Sequence, residues 1–191
     1  MTGPPDLTPA FERAGLLDLA YTVEDSPVGR LLLAATTKGL VCVSYLQAAD
    51  DLDAALQALA ERLSPRVLHA PARLDTPRRE LEQFFAGRRR QFGTRLDMSL
   101  VRPGFTRRVL TATAQIPFGQ TVSYRQIAGR AGNERAFRAA GSALGSNPLP
   151  IVVPCHRVLQ SGGGLGGYAG GVEVKRYLLA IEGVSTAPPQ R

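Results

Sequence analysis

The chain has 191 residues, 44% of them hydrophobic, and a formal net charge of +7. This length and composition allow a buried core, so we expect one domain or two small ones, and a disordered chain is not the default expectation. The two cysteines, Cys42 and Cys155, and two histidines exclude a disulfide scaffold and form no spaced metal-binding cluster. No apolar run is long enough to cross a bilayer and the first residues lack a signal-peptide pattern, so we expect a soluble cytoplasmic protein.

The positive charge is unevenly distributed along the chain. Residues 1–100 have a net charge of −1, whereas residues 101–191 carry 11 basic and three acidic residues, a net charge of +8. A polyanion such as nucleic acid suits this half, because each neutralised phosphate releases counterions. Charge alone leaves a basic enzyme without a nucleic-acid partner equally open.

The first half of the chain predicts a sheet covered by helices. Alternating aliphatic residues over 17–46, interrupted by two turns, predict three antiparallel strands. Leucines at helical spacing predict an amphipathic helix over residues 50–63. We expect a loop over residues 64–75 and then a second helix, with Thr76 as its N-cap and Pro77 as its first residue, that ends near Gly87.

The second half predicts mainly helices. A strand near residues 96–100 and a helix over 103–116 are expected first. Two short helices over 121–130 and 134–144, joined by a glycine turn, then outline a helix-turn-helix. The small residues of its second helix suit a close approach to a DNA groove or, equally, tight helix packing. We place the domain boundary between residues 95 and 96, where the charge balance also changes.

The chemistry centres on Cys155. An apolar strand is predicted over residues 151–153, followed directly by Pro154 and the cysteine. A thiol attacks as thiolate, so its free pKa of roughly 8.5 must be lowered by a base or a positive charge. His156 and Arg157 provide such groups, although side chains adjacent on an extended chain point apart and would need a linking water. Spacing alone favours a buried small residue beside a surface histidine.

The sequence around this cysteine resembles a known signature. PCHRV at residues 154–158, preceded by SNPLPIVV and followed by GGYAGG, is similar to the active site of the O6-alkylguanine-DNA alkyltransferases. The likeness covers roughly residues 100–183. It implies that Cys155 takes an alkyl group from guanine O6 once, irreversibly and without metal or cofactor. It further implies that His156 acts as base through water and that Glu182 holds the imidazole tautomer.

The resemblance also implies roles around the base. Tyr124 would donate a proton near N3 of the guanine. Asn147 would connect the active-site segment to the turn after the second helix of the helix-turn-helix, the recognition helix. Arg138 would fill the space of the flipped nucleotide, with a phosphate contact as the alternative, and Tyr168 would wall the pocket. The remaining implied contacts are to DNA (Ser123, Arg125, Arg135) and to the substrate pocket (Pro154, Val158, Ala169, Lys175).

Two positions depart from the family pattern, and a third has an alternative role. Ala169 stands where some family members carry a hydroxyl residue, and Phe137 is larger than the alanine expected beside Arg138. Lys175 could equally be a solvated helix lysine.

The implied fold is α+β: an N-terminal antiparallel sheet with helices, of ribonuclease H-like outline, then a mostly helical C-terminal domain with a DNA-binding helix-turn-helix. The implied partner is double-stranded DNA containing O6-alkylguanine, bound through its minor groove by a monomer, with cooperative binding left open. Two alternatives remain: a damage-sensing module that binds without transfer, and a cysteine hydrolase that turns over a small substrate.

Overall fold

The computed structural model describes residues 17–48 and 50–185. The three predicted antiparallel strands are confirmed as β1 (Leu19–Glu24), β2 (Arg30–Thr36) and β3 (Gly39–Leu46). A fourth strand, β4 (Val67–His69), pairs in parallel with β1, so the sheet order is β3-β2-β1-β4. The loop predicted over residues 64–75 was wrong at this point, because three residues are too short to display an alternating pattern.

The sheet is buried on both faces. Strand β2 contributes Leu31 and Leu33 to one face and Leu32 and Ala34 to the other, because successive side chains of a strand alternate. The second face packs on α1 (Asp51–Arg62), the predicted amphipathic helix. The first face shares one apolar cluster with the C-terminal helices, so the core is continuous across both halves of the chain.

The connection between the halves differs from the prediction. Helix α2 (Asp75–Phe85) begins two residues before the predicted first residue, Pro77. Its N-cap position is Leu74, which makes no side-chain cap, so the predicted Thr76 cap was wrong. The strand predicted near residues 96–100 does not form. Only Leu96 makes a bridge to the sheet, while Asp97 accepts hydrogen bonds from Thr36 and Ser99 and closes a turn. These polar contacts compete with strand pairing.

The C-terminal half is helical, as predicted. It contains α3 (Phe105–Ala114), α4 (Tyr124–Arg130), α5 (Phe137–Gly145) and α6 (Val172–Ile181), with a short parallel pair of β5 (Val122–Ser123) and β6 (Val158–Leu159). Helices α4 and α5, joined through a 3-10 turn, form the predicted helix-turn-helix. The α+β fold class is confirmed, whereas the division at residues 95 and 96 stays a prediction. Within residues 17–48 and 50–185, no helix is both long and apolar enough to span a membrane.

Candidate active site

Cys155 is held by a series of tight turns. The strand predicted over residues 151–153 was wrong: Val153 N–H donates to the Leu149 carbonyl, and Ile151 has φ of 72°. A β-branched residue rarely adopts this left-handed conformation, so the segment is strained by about 1–3 kcal/mol. The turns lead into a 3-10 helix, Cys155–Arg157, in which Cys155 is the first residue and is only 7% exposed.

Asn147 links this segment to the end of the helix-turn-helix. Its Nδ2 donates to the Val153 carbonyl at 2.9 Å and lies 3.2 Å from Cys155 Sγ, while its Oδ1 accepts from Leu149 N–H at 3.0 Å. The amide therefore holds the turn and stabilises negative charge on the sulfur.

His156, Arg157 and Glu182 form a buried charged cluster behind the cysteine. His156 Nε2 lies 2.8 Å from Glu182 Oε1, and Arg157 donates to both oxygens of the same carboxylate at 2.9–3.1 Å. Gly119 N–H donates to Oε2 at 3.1 Å. The histidine is fully buried, so the alternative of a surface histidine is wrong.

The pKa shifts set the protonation states of this cluster. Burial alone would raise the pKa of Glu182, but hydrogen bonds from His156 and Arg157 outweigh it and lower the pKa below 4.5. Burial lowers the pKa of His156 below 6.5. A neutral imidazole facing an ionised carboxylate carries its proton on Nε2. Nδ1, which has no hydrogen-bond partner among the described residues, is then free to accept a proton.

The thiol itself is not ionised by its surroundings. Burial raises the pKa of Cys155 above 9.0, although the Asn147 hydrogen bond and the Lys175 charge act in the opposite direction. The sulfur therefore needs a base at the moment of attack.

Cys155 lies at a cavity of about 330 Å³ between α4, α5 and the glycine-rich loop. Predicted residues Tyr124, Tyr168 and Ala169 line this cavity. It is completed by Gly167, from the GGYAGG segment of the motif, and by small or aliphatic residues that the sequence had not singled out: Gly141, Leu144 and Gly145. The volume and the two tyrosine rings of its lining suit a planar base.

Three residues predicted for the pocket lie behind it. Val158 is fully buried, and Pro154 lines a separate cavity beside Arg157 and Phe118. Lys175 is 1% exposed and donates from Nζ to the Val158 and Leu165 carbonyls, so the alternative of a solvated lysine is wrong. Lys175 thus supports the loop from within.

A second groove of about 390 Å³ continues from the cavity along the helix-turn-helix. Phe137 lines it and lies between two guanidinium groups, those of Arg125 at 5.6 Å and Arg138 at 5.5 Å from its ring. Ser123 caps α4 by accepting from Gln126 N–H, whereas Arg135 is exposed on the preceding turn and does not line the groove.

Sequence reasoning missed Tyr45, which lies on β3. Its hydroxyl is 2.9 Å from that of Tyr168, across 123 residues of sequence. No local pattern marks this contact. Sequence reasoning also treated Arg157 only as a source of positive charge near the thiol. Its guanidinium instead donates hydrogen bonds to Glu182 and to the Ile116 carbonyl.

Comparisons with known proteins agree with this geometry. The ribonuclease-like domain of 6-O-methylguanine DNA methyltransferase matches residues 19–98, and its DNA binding domain matches residues 104–184. The methylated-DNA–protein-cysteine methyltransferase of Rattus norvegicus is 38% identical over 187 residues, covering 92% of this chain and 88% of the rat protein. That of Methanosarcina barkeri is 35% identical and covers 85% and 96%.

Solved structures agree in fold. The Mycobacterium tuberculosis O6-methylguanine methyltransferase has a TM-score of 0.73 at 36% identity, covering 90% of this chain and 96% of that one. The M. tuberculosis OGT in complex with DNA also has a TM-score of 0.73 at 36% identity, covering 85% and 92%. On both sequence and fold, the chain belongs to the 6-O-methylguanine DNA methyltransferase family.

Proposed function

We propose that this protein repairs DNA by transferring the alkyl group of O6-alkylguanine to Cys155, once per molecule. The observation that carries the proposal is a single buried thiol at a base-sized cavity, backed by the buried pair of His156 and Glu182. Family membership supports the same reaction, since relatives are named methylated-DNA–protein-cysteine methyltransferases.

Transfer begins with removal of the thiol proton. His156 Nδ1 takes it through one water, and Glu182 stabilises the imidazolium that forms. Sγ then attacks the alkyl carbon, so that the S–C bond forms as the C–O6 bond breaks. The bonding pair leaves on the guanine, and the product is a thioether that no group of the site can cleave. One molecule therefore repairs one lesion.

The departing guanine needs a proton, because it would otherwise leave as an anion. Tyr124 lines the cavity as the first residue of α4, and burial raises the pKa of its hydroxyl above 10.0. At neutral pH this hydroxyl is protonated and available. We assign it the donor role near N3 of guanine. The proton that His156 took from the thiol then returns to the Tyr124 phenoxide through solvent, so that both groups end in their starting protonation states.

Cys155 is buried at the cavity described above, so its thiol can reach the alkylated guanine only when that nucleotide leaves the stack of the DNA duplex. The groove beside the cavity presents Arg125 and Arg138. We propose that this helix-turn-helix surface binds the minor groove and that Arg138 occupies the place of the extruded nucleotide. Action as a monomer, a cytoplasmic location and a domain boundary between residues 95 and 96 remain predictions.

Intact-protein mass spectrometry tests the proposal. The protein is mixed with duplex DNA carrying labelled O6-methylguanine, and the modified residue is mapped beside a Cys155→Ser control. A gain of one methyl group on Cys155 that stops at one equivalent is the expected result. Binding without transfer would indicate a damage sensor, and continued turnover would indicate a hydrolase.

A further inference from the structure

We propose that Tyr45, on strand β3 of the N-terminal sheet, is a positioning residue for alkyl transfer. The inference rests on the proposed function and extends it to a part of the chain that the active-site motif does not include. Tyr45 acts through Tyr168, which lines the Cys155 cavity.

Tyr45 and Tyr168 make a specific contact. Their hydroxyl oxygens are 2.9 Å apart and their rings meet edge to face with centroids 5.9 Å apart. Burial raises the pKa of both phenols, so neither ionises at neutral pH. One hydroxyl therefore donates to the other, and the pair is a neutral hydrogen bond within an aromatic contact.

Strand β3 contacts two segments of the site within three residues. Val43 N–H donates to the Pro148 carbonyl at 2.8 Å, directly after Asn147, which bonds the sulfur. Two residues further along, Tyr45 contacts Tyr168 of the glycine-rich loop. Because β3 is hydrogen-bonded along its length to β2, it provides a rigid reference for both segments.

The loop needs such a reference. Residues 160–171 contain seven glycines and no helix or strand, so the loop gains few restraints from its own backbone. Gly170 lies against the Tyr45 ring, and a Cβ at that position would come within 2.9 Å of it. The Tyr168 ring also meets the His156 ring at right angles, with centroids 6.4 Å apart. A displaced Tyr168 would therefore disturb both the pocket wall and the packing of the catalytic histidine.

The test is a double-mutant cycle with free O6-benzylguanine, which needs no base flipping. Tyr45→Phe, Tyr168→Phe and the double variant are compared with wild type for labelling rate, analysed as half-saturating concentration and limiting rate. Tyr45→Phe is expected to lower the ratio of limiting rate to half-saturating concentration about fivefold, the equivalent of one hydrogen bond. The double variant should lose no more than the larger single loss, because the two hydroxyls act as one pair.

Two controls separate positioning from general stability. Tyr21→Phe alters a tyrosine of the same sheet that packs on His69, and it should label at the wild-type rate. Affinity for undamaged duplex DNA, measured by fluorescence anisotropy, should be unchanged in Tyr45→Phe. A wild-type rate for Tyr45→Phe, or additive losses in the cycle, would overturn the inference while leaving the proposed function intact. If the wild type gained no alkyl group from free O6-benzylguanine or from O6-methylguanine in duplex DNA, the proposed function would fail first, and the inference with it. If it reacted only with the duplex, the same cycle measured on the duplex decides the inference.

Discussion

Replacement of Glu182 by glutamine is expected to destabilise the protein strongly. The Glu182 side chain is fully buried, and its carboxylate accepts hydrogen bonds from His156, Arg157 and Gly119. A glutamine of the same shape has no charge and can turn only one acceptor oxygen toward these donors, which leaves the buried guanidinium uncompensated. Breaking a buried ion pair from one side typically costs about 3–5 kcal/mol. In a chain of this size, Tm should fall by on the order of 10 °C.

Urea denaturation at pH 7 measures the effect directly. The matched control is Glu173→Gln in the first turn of α6, the helix that Glu182 directly follows, since Glu173 pairs with Arg176 but its side chain is 84% exposed. Exposed pairs contribute little, so this control should stay within about 0.5 kcal/mol of wild type. If the Glu182 variant also unfolded within about 1 kcal/mol of wild type, the reasoning on the buried cluster would be refuted.

The difference in folding stability between wild type and Glu182→Gln should depend on pH. Hydrogen bonds lower the folded-state pKa of Glu182 below its ordinary 4.5. A depressed carboxyl pKa stabilises the folded state fully above the unfolded value, and this contribution is lost as the pH falls through the folded value. The stability gap between wild type and Glu182→Gln should therefore be complete above the ordinary carboxyl pKa of 4.5 and narrow on further acidification. A gap that widened in acid would contradict the assigned protonation state.

Three further substitutions test the site. Arg138→Ala should slow methyl transfer from duplex DNA by at least about tenfold and leave the rate with free O6-benzylguanine near wild type, because only the duplex requires base flipping. Equal losses on both substrates would contradict the proposal that Arg138 occupies the place of the extruded nucleotide. Asn147→Ala removes the hydrogen bond that lowers the pKa of the Cys155 thiol. The dependence of labelling rate on pH should therefore shift to higher pH, and the rate at pH 7 should fall about tenfold. An unshifted pH dependence would exclude a role for Asn147 in stabilising the thiolate. Gly170→Ala would bring a methyl against the Tyr45 ring and should slow labelling. A Cβ at Gly162, in the same loop but outside the cavity lining, meets no described atom within 4 Å, so Gly162→Ala should label at the wild-type rate. Equal rates in the two variants would contradict the close contact.

The elements predicted correctly have strong local patterns. Strands β1 to β3 alternate, and α1 repeats leucines at helical spacing, so neighbouring residues alone indicate the buried face. The helix-turn-helix was marked by two short helical segments around Gly132. The strand predicted over residues 151–153 failed because an apolar run does not distinguish a strand from buried turns, and only the folded backbone has Ile151 at positive φ. Strand β4 was missed because its pairing with β1 depends on a distant segment.

The residues of the catalytic site also fall into those that the sequence predicted and those that only the folded structure revealed. The motif around Cys155, and the resemblance that it supports, predicted the nucleophile, its base and the roles of Glu182 and Asn147. Those assignments follow from residues close together in sequence or from a collinear family pattern, so they require no knowledge of contacts between distant segments.

The residues that complete the site depended on tertiary structure. Packing of the sheet against the C-terminal helices brings Tyr45 to Tyr168 across 123 residues. It also buries Lys175 beneath the loop and assigns Arg157 to Glu182 instead of to the thiol. The sequence by itself determined which chemistry is available, because reactivity belongs to residue types. Only the folded chain decided which side chains support that chemistry, because contacts between distant segments leave no periodic trace in either segment.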